Sequence, residues 1–196
     1  LIDLAFTESL SERDLAAGLA EVVKCGFISD EQILQLLKNR SIKEISANKE
    51  LLLELVHRAV SVKAEIVSED FKESFLREIL NYGHTLGHAI EKHSQYSVRH
   101  GEAIAIGMCF VAELAAIKIG LDRKVVDQHY KVLRALKLPT EYQLSAWAEL
   151  LQAMGLDKKA KSGNLRFVAI EEIGKCTRIE SPTSEELQAA YERIAK

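Results

Sequence analysis

Apolar residues recur at helical spacing along most of this chain. Leu15, Leu19 and Val22 follow Ser11-x-x-Asp14, a start resembling a capping box, and predict a first helix. Ser29-x-x-Gln32 predicts a short second helix that runs through Leu37. Ser46 precedes a long amphipathic run over 47–67. A further run over 71–92 carries Phe75, Ile79, Leu86 and Ile90 as its apolar stripe. The stretch 103–116 is apolar except for Glu113, too short to span a bilayer, and reads as a core helix over 101–120 that Gly120 caps. Helices over 122–136 and 144–154 follow, the first stopping before Pro139.

The pattern then changes. LRFVAI (165–170) and KCTRIE (175–180) are β-prone runs around a glycine turn and predict a hairpin. Thr183-x-x-Glu186 caps a last helix to Ala195. The expected fold is mainly α: one multi-helix domain over 1–196 with one small β-hairpin near the C-terminus.

Composition narrows the function. The chain has 196 residues, 47% of them apolar and 28% charged, with a net charge of -3. These values fit a folded domain and argue against a general nucleic-acid binder. Cys25, Cys109 and Cys176 are far apart, with no CxxC, and read as free thiols in a reducing, cytoplasmic compartment. No signal peptide or membrane span is read. Neither GxGxxG nor GxxxxGK[ST] occurs, so any dinucleotide used must find its Gly-rich loop elsewhere. The chain starts at Leu1 rather than Met, which fits a piece of a longer protein.

The densest chemistry lies in 77–102, REILNYGHTLGHAIEKHSQYSVRHGE. His84 and His88 are spaced to share one helix face, with Asn81 and Glu91 on that face and Arg77 one turn further back. Gly83 and Gly87 precede the two histidines; glycine costs roughly 1 kcal/mol inside a helix, so two here imply close packing or ligand approach. His100 follows a polar loop at the start of the core helix. Three imidazoles beside Arg77 and Asn81 point to a divalent-metal site, most simply zinc. Helix geometry pairs His84 with His88. A carboxylate is the expected third ligand, and Glu21, Glu91 and Glu102 all qualify chemically. His57, His93 and His129 lie outside the cluster and read as exposed or interfacial.

Four segments also resemble, in order, motifs of the 3-dehydroquinate synthase family: GLAEVVKCGFISD (18–30), VKAEIVSEDFKESFLREILNYGHTLGHAIE (62–91), RHGEAIAIGM (99–108) and LDKKAKSGNLRFVAIEEIG (156–174). Phe75 stands where the family pattern has glycine. The resemblance corresponds to the C-terminal, helical, metal-binding domain and implies that the N-terminal α/β NAD-binding domain is absent from this chain. It implies Glu21, His84 and His100 as ligands to Zn2+ or Co2+, and so turns His88 from ligand to substrate-phosphate partner. Lys24, Lys63 and His88 become catalytic. Lys24, Lys63, Arg77, Asn81, His88 and Lys158 become substrate-binding, with Lys159 the alternative to Lys158.

The implied reaction is a carbon–oxygen lyase step of the shikimate pathway, turning 3-deoxy-D-arabino-heptulosonate 7-phosphate into 3-dehydroquinate and phosphate with NAD+ as cofactor. Lysine, arginine and histidine suit a small anionic sugar phosphate. The implied partners are the enzyme's own N-terminal domain and a second copy in a homodimer, with no nucleic acid and no membrane. The alternatives are another sugar phosphate cyclase, of the 2-deoxy-scyllo-inosose or epi-valiolone synthase type, or a non-catalytic helical metal-binding domain.

Overall fold

A computed structural model describes residues 3–69, 75–159 and 165–196, with the side chains of 69, 75, 76 and 156–159 outside that description. Among the described residues the fold is helical around one central helix, with one β-hairpin on its flank.

Helix α1 (Glu12–Ile28) starts as the sequence predicts: the Ser11 hydroxyl accepts from the Asp14 N–H. Helix α2 (Glu31–Leu37) is capped by Asp30 rather than Ser29. A short α3 (Ile42–Ala47) precedes α4 (Lys49–Glu69) and carries a full capping box between Ser41 and Glu44. The Asn48 side chain accepts from Leu51 N at 2.9 Å, so α4 begins just after the predicted position.

Residues 71–74 of the predicted run 71–92 lie outside the described residues, and the described remainder, 75–92, is not one helix. Helix α5 (Phe75–Glu78) passes into a 3-10 turn (Ile79–Asn81), and α6 (His84–His93) starts afresh after Gly83. Gly83 has φ +79, a left-handed conformation that favours glycine. The cause is tertiary. A Cβ on Gly83 would stand 2.9 Å from the Met108 backbone N, and one on Gly107 would stand 2.0 Å from the Gly83 carbonyl oxygen. Backbone meets backbone here, so glycine is needed on both sides.

Helix α7 (His100–Lys118) is the core. It is apolar all round, and 78% of its apolar window is buried inside the protein, so its length and hydropathy serve packing. Gly120, φ +76, ends it as predicted. Around α7 lie α1, α6, α8 (Arg123–Ala135), α10 (Ser184–Glu192) and the hairpin. Gly101 lets α7 touch α1, since a Cβ there would meet the Ala17 carbonyl oxygen at 1.9 Å. The start of α7 is also tied to the start of α1 by Arg99 to Asp14, 2.7 Å, and by a two-pronged Arg13–Glu102 pair.

A 3-10 turn (Leu144–Ala146) leads into α9 (Trp147–Lys159). Strands β1 (Arg166–Glu172) and β2 (Lys175–Glu180) pair antiparallel, with a register shift between Ile170 and Glu172. Phe167 lies against Phe110 of α7, ring centroids 5.7 Å apart. On the face that Arg178 shares with the buried Val168, Arg178 reaches Glu78 at 2.7 Å, which braces α5 beside Arg77. The Thr183–Glu186 capping box starts α10 as predicted, though α10 ends at Glu192.

One histidine is placed differently from its sequence reading. His129 is fully buried. It stacks on Phe27 of α1 at 3.5 Å, receives the Tyr82 hydroxyl at 2.8 Å on Nε2, and gives Nδ1–H to the Val125 carbonyl at 2.7 Å. Amphipathic spacing on α8 does not reveal this, because Phe27 and Tyr82 arrive from other elements.

Candidate metal centre

Three elements converge on one point. Glu21 projects from the middle of α1, His84 opens α6 and His100 opens α7. Their ligand atoms all lie within 4.8 Å of one another. Nε2 of His84 is 3.7 Å from Glu21 Oε1, and Nε2 of His100 is 3.8 Å from the same oxygen. Ligands bound tetrahedrally to zinc stand about 3.3 Å apart, so a small inward movement would close these three around an ion.

The hydrogen bonds suit that role. Nδ1 of His84 is 3.0 Å from the Tyr82 carbonyl, and Nδ1 of His100 is 3.2 Å from Glu91 Oε1. Both partners only accept, so each Nδ1 carries the proton and each Nε2 presents a lone pair towards Glu21. The break before α6 matters here: the Tyr82–Gly83 turn supplies the carbonyl that orients His84.

The electrostatics point the same way. Lys24 Nζ lies 3.0 Å from Glu21 Oε2, and Lys63 Nζ on α4 lies 2.9 Å from it. Burial alone raises the Glu21 carboxyl, but the two ammonium groups outweigh it and hold the pKa at about 2. Burial, reinforced by Lys24, takes His84 down to about 4 and keeps it neutral at physiological pH. Burial likewise lowers Lys24, against the pull of Glu21. An ionised carboxylate and a neutral imidazole are the forms a metal needs.

The other candidates sort by contact. Glu102 is committed to Arg13 and to the Arg99 backbone N–H, so it is not the third ligand. Glu91 faces the outer nitrogen of His100 and also belongs to a second close group with His88 and His100. His88 lies beside His84, ring centroids 5.2 Å apart, and is exposed. Arg77 on α5 and Asn81 on the following turn are exposed, and Asn81 lies before the break rather than on the His84 helix face. The side chains of Lys158 and Lys159 lie outside the described residues, as does that of Phe75. The Tyr82 carbonyl was not readable from sequence, since no residue type marks a backbone acceptor.

A family model described as 3-dehydroquinate synthase C-terminal matches residues 18–160. The chain belongs to this family. The 3-dehydroquinate synthase of Saccharopolyspora erythraea is 47% identical over 194 residues, covering 99% of this chain and 52% of that protein. The 3-dehydroquinate synthase of Nocardia farcinica is 46% identical over 196 residues, covering 100% and 52%. The chain thus spans about half the length of the curated relatives it matches.

Among solved structures, 2-epi-5-epi-valiolone synthase from Streptomyces hygroscopicus subsp. jinggangensis, with NAD+ and Zn2+ bound, superposes with a TM-score of 0.89 at 26% identity. It is covered over 99% of this chain and 54% of that one. A 2-deoxy-scyllo-inosose synthase complexed with carbaglucose-6-phosphate, NAD+ and Co2+ gives a TM-score of 0.76 at 25% identity, covering 94% and 53%. The 3-dehydroquinate synthase C-terminal fold expected from the motifs is therefore the one found.

Proposed function

We propose that this chain is the metal- and substrate-binding half of a 3-dehydroquinate synthase. It turns 3-deoxy-D-arabino-heptulosonate 7-phosphate into 3-dehydroquinate and phosphate together with an N-terminal NAD-binding half, as a homodimer in the cytoplasm. The observation that carries the reading is the convergence of Glu21, His84 and His100 with Lys24 and Lys63 at the same carboxylate. A helical domain that merely stored an ion would have no use for two converging ammonium groups. The three free cysteines agree with a reducing compartment.

Glu21, His84 and His100 would hold Zn2+ or Co2+, whose Lewis acidity polarises substrate oxygens. Glu21 would supply negative charge, and the two imidazoles would donate through Nε2. Lys24 and Lys63 stand next to the ligands and attract the substrate's anionic groups, Lys24 from a buried position and Lys63 from the rim. His88, open to solvent one helical turn from His84, hydrogen-bonds the substrate phosphate. Arg77 and Asn81 complete the anion site from the segment that the Arg178–Glu78 bond braces. Lys158 is assigned to the same anion on motif position.

The other cyclases named above share the fold, and 47% identity to a 3-dehydroquinate synthase against 26% to a valiolone synthase favours the first activity. The test is product identification with the protein expressed from its natural reading frame. It receives the seven-carbon keto acid phosphate, sedoheptulose 7-phosphate or glucose 6-phosphate. Turnover of the first alone is expected, and turnover of either of the others in its place would reassign the enzyme. The 196-residue chain by itself is expected to give no product. Measurable turnover by it would overturn the two-half part of the reading.

A further inference from the structure

The two imidazoles are held in different ways. His84 is set into the protein, with 13% of its side chain exposed, and a backbone carbonyl orients it. His100 is 46% exposed and emerges from a turn in which Gln95 and Tyr96 both have positive φ, 51 and 61. Two non-glycine residues in that region mark a turn held by its surroundings. The surroundings are the end of α6. Tyr96 N and Ser94 Oγ both donate to the Glu91 carbonyl, at 2.8 Å and 3.1 Å, so the turn folds back over Glu91 and delivers His100 to its side chain.

We propose that Glu91 is a positioning residue for the metal centre: its carboxylate, 3.2 Å from Nδ1 of His100, fixes the ring so that the Nε2 lone pair faces Glu21. The inference rests on reading Glu21, His84 and His100 as the ligands. A neutral imidazole has one N–H, and an ionised carboxylate can only accept, so the proton sits on Nδ1. A carboxylate behind a ligating imidazole also makes that ligand a stronger donor. The same bond bears on the second close group, His88, Glu91 and His100. With Nδ1–H given to Glu91, that nitrogen has no lone pair for an ion between His88 and Glu91. Glu91, a candidate ligand by chemistry, is by geometry the group that aims a ligand.

The test uses the purified chain, titrated with Co2+ alone against a competing chelator, with the visible d–d spectrum recorded and the metal-free melt measured in parallel. Glu91→Ala is expected to bind Co2+ about 10- to 100-fold more weakly, the range for removal of an outer partner, with an altered spectrum and an unchanged metal-free melt. Glu91→Gln, whose amide oxygen can still accept from Nδ1–H, is expected to recover part of the loss. Wild-type affinity and spectrum in Glu91→Ala would overturn the proposal. So would a fall in metal-free stability that accounts for the whole loss, with no recovery in Glu91→Gln. Failure of the unaltered chain to bind Co2+ would instead overturn the metal reading itself, and this inference with it.

Discussion

Glu21 sits between two cations and two imidazoles: Oε2 accepts from Lys63 Nζ at 2.9 Å and Lys24 Nζ at 3.0 Å, while Oε1 accepts from Lys24 Nζ at 3.1 Å and also faces Nε2 of both His84 and His100. Lys24 and Lys63 thus hold the carboxylate as an anion, and Oε1 is the oxygen turned towards both imidazoles. Glu21→Gln removes the charge and places an amide where an anion is required. Loss of stoichiometric zinc is expected, measured by metal analysis after dialysis, and the same is expected of His100→Ala. Retention of one zinc per chain in either variant would sink the ligand assignment.

Lys63 separates metal binding from substrate binding. Its side chain is 45% exposed, so Lys63→Met should cost little stability and should leave one zinc bound. Removing a positioned charge from a catalytic site lowers turnover by about 100- to 1000-fold. That fall in kcat/KM, with metal content intact, is the expected result in the natural-length enzyme. An unchanged kcat/KM would remove Lys63 from the catalytic and substrate-binding groups.

The glycines give a stability contrast within one fold. Gly107→Ala would push a Cβ to 2.0 Å from the Gly83 carbonyl oxygen, a backbone atom that cannot step aside. A loss of about 3 kcal/mol or more is expected from overpacking, with His84 displaced because Gly83 opens its helix. Gly18, in α1, has nothing within 4 Å of its Cβ position. Gly18→Ala should raise stability by up to about 1 kcal/mol through helix propensity. Chemical denaturation of the two variants beside the unaltered chain checks both signs.

Local chemistry was legible where the cause was local. Ser11, Thr183 and Gly120 mark helix ends because capping and left-handed turns depend on a few neighbouring atoms. Ser41-x-x-Glu44 carries the same signal for α3, but it stands in a polar stretch with too short an apolar pattern to predict a helix. The break at Gly83 was not legible, because the stripe from Ile79 to Ile90 continues through it and the interruption comes from Met108 and Gly107 on another helix. Helical spacing also set His88 beside His84 as a ligand pair. The grouping of His84 with His100 and Glu21 needed either the fold or the motif resemblance, since nothing in the periodicity of α1 points its carboxylate at α6. The side-chain bond between Glu91 and His100 likewise depends on how the turn between α6 and α7 closes.

His129 carries the last prediction, on acid stability. It is buried, stacked on Phe27, and satisfied as a neutral ring by Tyr82 and Val125. Burial, against the Val125 hydrogen bond, lowers its pKa from 6.5 to about 4. The folded state therefore binds this proton less readily than the unfolded chain does. The neutral ring's contribution is full above about pH 6.5 and is lost as pH falls towards 4, roughly 3 kcal/mol over the window. His84, also lowered to about 4, adds a loss of the same sign, so the measurement must compare variants. His129→Phe keeps an aromatic ring against Phe27 but cannot be protonated. It leaves the Tyr82 hydroxyl without its partner, which costs about 1–3 kcal/mol at neutral pH. Urea midpoints from pH 7 to pH 4 should fall less steeply for His129→Phe than for the unaltered chain. Parallel curves would mean that His129 takes up its proton without opposing the fold.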